Sequence, residues 1–442
     1  MTPELNDLFT LLRFPSVSTD STRNADTRAC AEWVLQKLNS IGLTASLHET
    51  ARHPVVIAKN RHLPGRRTVL LYGHYDVQPD SPVSEWRTPP FEPTIIDGRI
   101  WCRGATDNKG QLMAHIRGLE KTLCEEGDLP VNLTCLFEGE EEIGSPNLKP
   151  FLENNRDLLK CDVVAISDTG MVAPGVGTFT YGLRGIACCE VTARGPAIDL
   201  HSGIWGGAVM NPATAVARLI ASLHDASGHV QVEGFYDGVR PLADWEREAW
   251  ASLGDSEPET KFVTGVPELF GETGYTDMER RWARPTAEIN GIGGGWQGEG
   301  SKTVIPKESF AKFSFRLVPA QQPDDILRAV EKHFSAHTPP GIRLEIDLGH
   351  TGMPYLMDPF SPLGLAAQRA LEKTFGGKPA LIREGGSIPI VQAFKDVLGV
   401  DTLLLGLALP DCQAHAPNEN FPVENFEAGI RLNQFLLREL AL

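Results

Sequence analysis

Five separate segments of the chain carry side chains that can bind a divalent metal ion. The candidates are His74, Asp107, the glutamate-rich string at 138–142, Asp168 and His415. Two imidazoles and three carboxylates suit a pair of hard-to-borderline cations, with one carboxylate bridging the two. A free carboxylate beside such a pair would act as a proton shuttle. The combination predicts metal-assisted hydrolysis.

The histidines and the aspartates are each a weak signal when taken alone. Asp76 lies two residues after His74, where it could accept the second N–H of the imidazole and fix its tautomer for metal binding. A hydrogen-bonded turn would show the same pattern. Asp107 and Asp168 could equally be caps, and a lone histidine such as His415 is more often structural than ligating. The set is persuasive because all the candidates follow strand-like apolar runs.

Four glutamates, at 138 and 140–142, crowd one turn directly after such a run. Packing like charges together is unfavourable unless cations compensate for them. Adjacent glutamates also suit two roles, since one can bind a metal while its neighbour takes a proton from water. The spacing alone does not decide between Glu141 and Glu142.

The elements that must bring these segments together are predicted to form an α/β sheet. Short apolar runs predict buried strands at 68–72, 132–137, 162–167 and 402–407. A helix is predicted at 109–123, which gives a βαβ order. Ligands of open α/β sheets gather beyond the carboxyl ends of the strands. The run at 402–407 precedes His415 in the same way that the earlier runs precede the other candidates. We therefore expect this run to join the same sheet, and the middle of the chain to be an insertion.

The inserted segment has the pattern of a second α/β unit. Strands are predicted at 185–192, 310–318 and 343–348, and helices at 212–223 and 323–333. Between them, the acid- and tryptophan-rich stretch 240–285 is predicted to be a helical excursion. The glycine-rich string 291–297 is predicted to be a mobile loop.

Composition and charge argue against several classes of partner. With 442 residues, 41% hydrophobic and 22% charged, the chain is expected to be globular, with two domains or at most three. A net charge of −16 repels phosphates, which argues against a nucleic acid or an anionic membrane as partner. No apolar run reaches the ~20 residues of a membrane helix, no secretory signal is visible, and the eight cysteines form no C-x-x-C pair. These features predict a reducing cytoplasm.

Further strings of the sequence allow the pattern to be compared with a known family. These strings lie at 73–79, 181–185, 199–203, 303–306, 315–319 and 383–389. Together with the five candidate segments, they resemble the M20 metallopeptidases, and within them the cytosolic dipeptidase branch of the carnosinase type. The resemblance runs from about Tyr72 to the C-terminus, with the motifs in the expected order.

The resemblance implies two divalent metal ions per subunit, Zn²⁺ or Mn²⁺, with Co²⁺ as a further candidate. One ion would bind Asp107, Glu142 and His415. The other would bind His74, Asp107 and Asp168. Carboxylate-rich ligation accepts any of the three metals, so the sequence does not select among them.

The resemblance also assigns roles to the neighbours of the ligands. It implies that Glu141 is the base that takes a proton from water, and that Asp76 orients His74. In the family, the bridging aspartate is commonly joined to the next residue by a cis peptide. We therefore expect a cis peptide between Asp107 and Asn108, although such bonds are rare outside proline.

Residues outside the metal cluster are implied to bind the substrate. His201 matches a histidine that, in dimers of this family, enters the active site of the partner subunit and polarises the scissile carbonyl. Thr303 and Arg316 match residues that help to bind substrate, and a guanidinium can hold a free carboxylate through two hydrogen bonds. A further group, Gly385, Gly386 and Ser387, matches the residues of the family that contact the substrate from the catalytic domain.

We therefore expect an α/β fold with two domains. Residues 1–183 and 350–442 would form a catalytic domain with a mixed sheet flanked by helices, and residues 184–349 an inserted, smaller two-layer α/β lid domain that also forms a homodimer. The expected reaction is dinuclear metal-dependent hydrolysis of dipeptides or short peptides with a free C-terminal carboxylate. The alternatives are an N-acyl-amino-acid deacylase on the same scaffold and a catalytically inactive binding homologue. The expected partners are a small peptide and a second copy of the chain, with no nucleic acid and no membrane.

Overall fold

The structure, a computed structural model, describes residues 1–386 and 388–442. The chain divides into two compact units. The first unit contains residues 1–181, 357–382 and 389–442, and the second contains residues 182–356 and 383–388. The insertion expected at 184–349 lies inside the second unit. Residues 350–356 and 383–388, which were expected in the catalytic domain, group with the second unit instead.

The helices and strands follow each other along the chain as follows. The helices are α1 (Pro3–Leu12), α2 (Asn24–Ser40), α3 (Lys109–Glu126), α4 (Leu148–Asn154), α5 (Arg156–Leu159), α6 (Ser202–Trp205), α7 (Pro212–Ala221), α8 (Asp244–Ala251), α9 (Glu257–Thr264), α10 (Asp277–Ala283), α11 (Pro323–His337), α12 (Pro362–Phe375), α13 (Pro389–Leu398) and α14 (Val423–Leu440). The strands are β1 (Thr44–His48), β2 (Val55–Lys59), β3 (Thr68–His74), β4 (Thr94–Ile96), β5 (Arg99–Trp101), β6 (Asn132–Glu138), β7 (Val163–Ile166), β8 (Thr178–Leu183), β9 (Gly185–Arg194), β10 (Leu200–His201), β11 (Thr286–Gly294), β12 (Val304–Ile305), β13 (Glu308–Leu317), β14 (Arg343–Gly352), β15 (Tyr355–Leu356), β16 (Ala380–Glu384), β17 (Thr402–Gly406) and β18 (Asn420–Pro422). None of the helices in the described part of the chain has the length and apolar character that crossing a membrane requires.

The first unit is built on a mixed sheet in the order β1-β2-β6-β3-β7-β17-β8. Strands β6, β3, β7 and β17 are parallel to one another, whereas β2 and β8 run antiparallel to their neighbours. All four parallel strands are buried along nearly their whole length, as expected of continuous apolar runs with helices on both faces. The prediction that the late run 402–407 joins the early strands is confirmed, since β17 pairs with β7.

Helices α3 and α14 pack closely against each other in the first unit. Gly118 of α3 makes this possible, because a Cβ atom there would lie 2.6 Å from the Cβ atom of Asn433 and 3.0 Å from the carbonyl oxygen of Ile430. The α3 helix ends at Gly127 in the left-handed conformation, which suits a residue without a side chain. The helix predicted at 109–123 is therefore confirmed, and it fixes the loop that precedes Lys109.

The second unit contains a four-stranded antiparallel sheet in the order β11-β13-β9-β14, with helices α7 and α11 packed on it. Strand β9 alternates buried and half-buried residues, as expected of a sheet with one covered face. Phe313 stacks on Phe315 within β13, and Phe334 of α11 lies with its ring centroid 5.0 Å from that of Phe313. The two-layer α/β architecture predicted for the insertion is confirmed.

One strand of this sheet was not predicted. The glycine-rich string 291–297 was expected to be a loop, but strand β11 extends through Gly294, so the prediction is wrong for residues 291–294. The strand pairs with β13 and contains an irregularity between Ile289 and Gly291. A Cβ atom at Gly293 would lie 2.4 Å from the ring of Phe310, so the glycine here allows close packing of two strands.

The stretch 240–285 forms three helices, α8, α9 and α10, which confirms the predicted helical excursion. Trp250 of α8 and Trp282 of α10 pack edge to face, with ring centroids 5.3 Å apart. The guanidinium of Arg383 lies 5.9 Å from the centre of the Trp250 ring and forms an ion pair with Glu246. These contacts explain why residues 383–388 group with the second unit.

Candidate metal centre

The candidate ligands of the first unit lie beyond the carboxyl ends of its parallel strands. His74 is the last residue of β3, and Asp168 follows the end of β7 by two residues. Glu142 lies in a 3₁₀ turn, Glu141–Ile143, that follows β6. His415 lies in the loop between β17 and β18. The parallel order of the strands therefore brings distant segments to one edge of the sheet, where ligands of α/β folds gather.

Asp107 lies between the two histidines of this cluster. Its Oδ1 atom is 3.2 Å from Nε2 of His74, and its Oδ2 atom is 2.8 Å from Nε2 of His415. His415 Nε2 is also 3.3 Å from Oε2 of Glu142, and His74 Nε2 is 3.7 Å from Oδ2 of Asp168. The five side chains thus form two groups that share Asp107, and these groups correspond to the two ligand sets that the resemblance implies.

The chemistry of these donors fits divalent cations. One ligand atom from each of His74, Asp107 and Glu142 lies within 4.8 Å of the others, so donors from both groups are close enough to surround cations. Oε1 of Glu142 is buried and has no hydrogen-bond partner among the described residues. Buried carboxylate oxygens are normally satisfied, and a cation would satisfy this one.

Asp76 helps to orient one ligand from each of the two groups, His74 and Glu142. Nδ1 of His74 lies 3.1 Å from the carbonyl oxygen and 3.3 Å from Oδ1 of Asp76, both of which can accept its proton. The Asp76 carboxylate also accepts the backbone N–H groups of Glu141 and Glu142, at 3.3 and 3.1 Å. Gln78 donates to Oε2 of Glu142 at 2.8 Å. Such outer contacts fix the tautomer and direction of metal-binding side chains.

Glu419 is a functional candidate that the sequence analysis missed. Its carboxylate is fully buried and accepts the backbone N–H groups of Gly104, Thr106 and Asp107, at 2.9, 2.8 and 3.0 Å. It also forms an ion pair with buried Arg103 at 2.8 Å. Glu419 therefore holds the loop that carries the shared aspartate. The available signal was its position four residues after His415, directly before β18.

Asn108 places the last carboxylate of the cluster. The peptide between Asp107 and Asn108 is cis, as expected. The Asn108 side chain is buried and donates through Nδ2 to the carbonyl oxygen of Ser167, at 2.6 Å, and to Oδ1 of Asp168, at 2.7 Å. This contact leaves Oδ2 of Asp168 on the side of His74.

Two glutamates of the acidic string have structural partners. Glu138 accepts hydrogen bonds from Tyr72 Oη at 2.6 Å and from Ser145 Oγ at 2.8 Å. Glu140 accepts the backbone N–H of His53 at 2.7 Å. The spacing alone did not separate the roles of the four glutamates, whereas these contacts assign two of them to the scaffold.

Burial raises the pKa of both remaining glutamates. The pKa of Glu142 rises to about 7, first through burial and then through the charge of Asp107. Burial also raises the pKa of Glu141 well above its ordinary value, and although the charge of His74 opposes this, the charges of Asp168 and Glu142 add to the rise. Crowded, buried carboxylates of this kind become stable as anions when cations lie among them.

The two histidines respond to the same carboxylates. Hydrogen bonds with Asp107 and then with Glu142 raise the pKa of His415 to about 10, against the opposing effect of burial. Burial lowers the pKa of His74, but the charge of Asp168 and a hydrogen bond with Asp107 raise it well above its ordinary value overall. A cation bound among the carboxylates would take the place of these protons, because metal ligation requires neutral imidazole.

The loop that carries His415 has an unusual backbone. Gln413, His415 and Asn418 all have positive φ angles, of 55°, 61° and 68°. Non-glycine residues rarely adopt this conformation, and such residues cluster at functional sites. Asn418 holds the loop in place, since its side chain accepts the backbone N–H of Arg87 at 2.7 Å and donates to the carbonyl oxygen of Glu85 at 2.8 Å.

In the second unit, two of the predicted substrate residues are neighbours. His201 ends β10 and Thr303 directly precedes β12, and these two strands pair with each other. The exposed His201 ring accepts the backbone N–H of Gly203 at its Nδ1 atom, at 3.0 Å. In a neutral ring the proton then lies on Nε2, which can donate to a substrate carbonyl.

The other predicted substrate residues also lie in the second unit, as far as the structure describes them. Arg316 is on β13, opposite Thr286 of β11. Gly385 and Gly386 follow β16, and a Cβ atom at Gly385 would lie 2.9 Å from the backbone carbonyl oxygen of Arg281, which favours glycine there. The remaining candidate of this group, Ser387, lies outside the described residues.

Comparison with known proteins places this fold and cluster in a family. Residues 70–439 match the Peptidase family M20/M25/M40. The chain is 33% identical over 444 residues to the Cys-Gly metallodipeptidase of Schizosaccharomyces pombe. This alignment covers 97% of this chain and 93% of the relative. It is 33% identical over 394 residues to the human Beta-Ala-His dipeptidase, covering 88% of this chain and 78% of the relative.

A solved structure agrees with these sequence matches. An M20 family metallo-carboxypeptidase from Sulfolobus solfataricus superposes with a TM-score of 0.88 at 34% identity, over 100% of both chains. These matches define the class of protein, a metal-dependent peptidase with a mixed α/β fold. Within that class, the chain belongs to peptidase family M20/M25/M40.

Proposed function

We propose that this chain is a dipeptidase that uses two divalent cations per subunit. The observation that carries the proposal is the position of Asp107, with one carboxylate oxygen toward His74 and the other toward His415. A carboxylate placed in this way can bridge two ions, as two-metal hydrolases require. The relatives support a dipeptide substrate, since they are named for hydrolysis of Cys-Gly and Beta-Ala-His.

The residues proposed to hold the cations are those of the two groups that share Asp107. Asp107, Glu142 and His415 would hold one, and His74, Asp107 and Asp168 the other. Cations held there would supply Lewis-acid polarisation and favour ionisation of a water molecule. Zn²⁺, Mn²⁺ and Co²⁺ all suit such a donor set, and metal availability would select among them.

Glu141 is proposed to be the general base of the reaction. Its backbone N–H is held by Asp76, and burial raises the pKa of its carboxyl group, which makes the carboxylate a better proton acceptor than an exposed glutamate. Glu141 would accept a proton from the attacking water at its carboxylate. It would then return that proton to the nitrogen of the leaving amine.

The substrate is proposed to be held by residues of the second unit. Arg316 would bind the free C-terminal carboxylate of the dipeptide through its guanidinium, with Gly385, Gly386 and Ser387 contacting the same end. Thr303, which directly precedes β12, would also help to bind the substrate. His201 would donate from Nε2 to the oxygen of the scissile carbonyl, where negative charge develops. In the proposed homodimer, this histidine acts in the partner subunit.

The cellular setting is proposed to be a reducing cytoplasm. All eight cysteines of the chain are free, and five of them are buried (Cys30, Cys102, Cys135, Cys189 and Cys412). Burial raises the pKa of the Cys135 thiol, which keeps it protonated and unreactive. Free thiols of this kind are typical of a reducing compartment.

The decisive test of the proposed function compares two classes of substrate. Purified protein loaded with Zn²⁺ or Mn²⁺ is expected to hydrolyse Ala-Ala and to lose this activity when a chelator removes the metal. N-acetyl-alanine and N-succinyl-alanine serve as the comparison. Turnover of only the acylated compounds would make the chain a deacylase, and no turnover of either class by the loaded protein would favour an inactive binding homologue.

Replacement of the base tests the assignment of Glu141. We expect Glu141→Gln to lower kcat by about 10²–10⁴-fold, because the amide cannot take the proton, whereas KM and metal content remain near those of the wild type. Glu153→Gln, on the exposed face of α4, is the matched control and should keep full activity. Unchanged turnover in Glu141→Gln with metal still bound would remove Glu141 as the base.

A further inference from the structure

The two histidines of the candidate metal centre are held in different ways. His74 ends β3 inside the central sheet, and its side chain is inaccessible to solvent. His415 lies instead in the segment 407–419 between β17 and β18, and its side chain is 56% exposed. We refer to this segment as the His415 loop. The position of His415 therefore depends on the contacts that hold the loop.

Asn420, the first residue of β18, closes the His415 loop from the inside. Its side chain is buried, and its Nδ2 atom donates to the carbonyl oxygens of Asn418, Cys412 and Asp411, at 3.1, 3.3 and 3.4 Å. Its backbone N–H donates to the carbonyl oxygen of Cys412 at 2.9 Å. One residue thus ties the backbone before His415 to the backbone after it.

A charged pair on the outside of the loop reinforces this closure. Arg99 of β5 donates from both terminal nitrogens to the Asp411 carboxylate, at 2.8 to 3.0 Å. The same guanidinium donates from Nη1 to Oδ1 of Asn420 at 2.6 Å. Paired contacts of this kind fix direction as well as distance. Because β5 and β18 pair in one sheet, Arg99 is itself fixed relative to Asn420. We refer to Asn420, Arg99 and Asp411 as the loop clasp.

The backbone of the His415 loop needs contacts of this kind. Three of its residues, His415 among them, have positive φ angles that are unfavourable for residues with a side chain. Such conformations persist only where the surrounding structure holds them. The carbonyl groups that Asn420 binds include that of Asn418, one of the three residues, and that of Cys412, which precedes another. Loss of these hydrogen bonds would let the loop relax and move His415 away from the shared aspartate.

The loop clasp holds a ligand of only one of the two proposed cations. His415 belongs to the group that also contains Asp107 and Glu142. The other group combines the shared aspartate with His74, at the end of β3, and Asp168, just beyond β7. The positions of these last two side chains follow from strands of the central sheet. A change in the clasp should therefore affect the two cations unequally.

We propose that Asn420 is a positioning residue that, together with Arg99 and Asp411, sets the affinity of the centre for one of its two cations. This inference rests on the proposed two-cation function. Without the clasp, the cation that His415 helps to hold would bind more weakly, whereas the other cation would stay bound. The chain would then hold one tightly bound ion instead of two.

The test counts the bound cations and measures the affinity of each. Metal-free wild type and Asn420→Ala are titrated with Zn²⁺ in competition with a chromophoric chelator. We expect Asn420→Ala to bind one Zn²⁺ as the wild type does and the other about 10–100-fold more weakly, as is typical when a group that orients a ligand is removed. Arg99→Gln should weaken the same cation less, because Asn420 keeps its own hydrogen bonds and the Asp411 carboxylate is largely exposed.

The matched control is Asn132→Ala. Asn132 is another buried asparagine at the start of a strand, β6, and it also closes a loop. Its Nδ2 atom donates to the carbonyl oxygens of Leu63 and Arg66, both at 3.1 Å, and its Oδ1 atom accepts the N–H of Leu63 at 2.7 Å. It lies at the amino end of its strand, whereas the candidate ligands gather at the carboxyl ends. Asn132→Ala should lower the free energy of unfolding of the metal-free protein but leave both Zn²⁺ affinities unchanged.

A double variant shows whether Asn420 acts through His415. His415→Gln removes the ligand itself and should weaken the same cation. If the clasp acts by holding this histidine, adding Asn420→Ala to His415→Gln should cause no further loss of Zn²⁺ affinity, because effects that pass through one group are not additive.

The outcomes separate this inference from the function on which it rests. Two wild-type affinities in Asn420→Ala, an equal loss for both cations, or a further loss in the double variant would each overturn the role of Asn420. If Asn420→Ala does not fold, Arg99→Gln decides, and two wild-type affinities in that variant would overturn the inference. A wild-type chain that binds fewer than two ions would contradict the proposed two-cation function itself.

Discussion

Glu419 shows how far the candidate metal centre depends on a side chain that is not itself a proposed ligand. Its buried carboxylate accepts three backbone N–H groups of the loop, those of Gly104, Thr106 and Asp107, and pairs with the guanidinium of Arg103. One of those N–H groups belongs to Asp107, the residue shared by both ligand groups. The orientation of Asp107 therefore depends on the carboxylate of Glu419, which holds the backbone of the loop that carries Asp107.

Replacing this charge is expected to weaken metal binding. Glu419→Gln keeps the size of the side chain but presents an amide N–H₂ to donors, so the loop loses an anionic acceptor and Arg103 loses its counter-charge. We expect metal affinity to fall by about 10–100-fold, as is typical when a group that orients a ligand is removed. Competition with a chromophoric chelator measures this. Glu427→Gln, exposed on α14, is the control, and equal affinity in both variants would contradict the role of Glu419.

At the residue scale, the sequence predicted those site residues that can be recognised from their residue type and their position after a strand. His74, Asp107, Glu142, Asp168 and His415 could be proposed because each follows an apolar run and carries a metal-binding group. Partners that act through tertiary hydrogen bonds left no such pattern. Glu419 and the loop N–H groups it accepts are more than 300 residues apart, so only the folded chain reveals their contact.

At the element scale, a buried histidine lies between the two long helices of the first unit. His115 of α3 is nearly inaccessible to solvent, and its Nδ1 atom is hydrogen-bonded to the side chain of Asn433 on α14. Burial lowers the pKa of His115 to about 4, although the Asn433 contact opposes this. The packing of α3 against α14 is therefore formed around a neutral imidazole.

This histidine should make the stability of the fold depend on pH. Above pH 6.5 the imidazole is neutral in both the folded and the unfolded chain, so its contribution is fully present. Between pH 6.5 and 4 the unfolded chain binds a proton that the folded chain does not, so the free energy of unfolding falls as the pH falls. The loss would reach about 3 kcal/mol near pH 4.

Urea unfolding of the metal-free protein between pH 7.5 and 4.5 measures this loss. We expect His115→Gln to remove that part of the pH dependence, because the amide does not titrate. His62→Gln, at an exposed position, is the comparison variant. Parallel curves for the wild type and His115→Gln would show that the imidazole does not contribute.

The elements themselves were predictable where their apolar pattern is continuous. The runs that became β3, β6, β7 and β17 combine β-branched residues or leucine with burial on both faces. Strand β11 was missed because its glycines have low strand propensity, and its stability comes from pairing with β13 instead. Propensity is a local property, whereas that pairing is not.

At the scale of the whole molecule, the sequence predicted an insertion but not its edges. The strand-like run at 402–407 was enough to predict that segments before and after the insertion belong to the same sheet. The assignment of residues 383–388 to the second unit depends on side-chain contacts, above all the ion pair of Arg383 with Glu246, which are 137 residues apart. No local pattern predicts such a pairing.

Mixed dimers test whether two copies of the chain share a site. Glu141→Gln and His201→Ala are each expected to be inactive as homodimers. If His201 acts in the partner subunit, a mixed dimer contains one complete site, and subunit exchange should restore about a quarter of the wild-type rate, since half of the dimers are mixed. Activity measured after mixing checks this. No recovery, with exchange verified by labelled subunits, would place His201 in its own subunit's site.

The position of β17 has a consequence for how the protein is made. This strand occupies an interior place in the sheet, between β7 and β8, yet it is synthesised after the whole insertion. A nascent chain that has left the ribosome only as far as the insertion therefore exposes two unpaired strand edges and lacks His415. The proposed ion site that uses His415 would then be completed only after this late strand is made, and the exposed strand edges would need protection until that point.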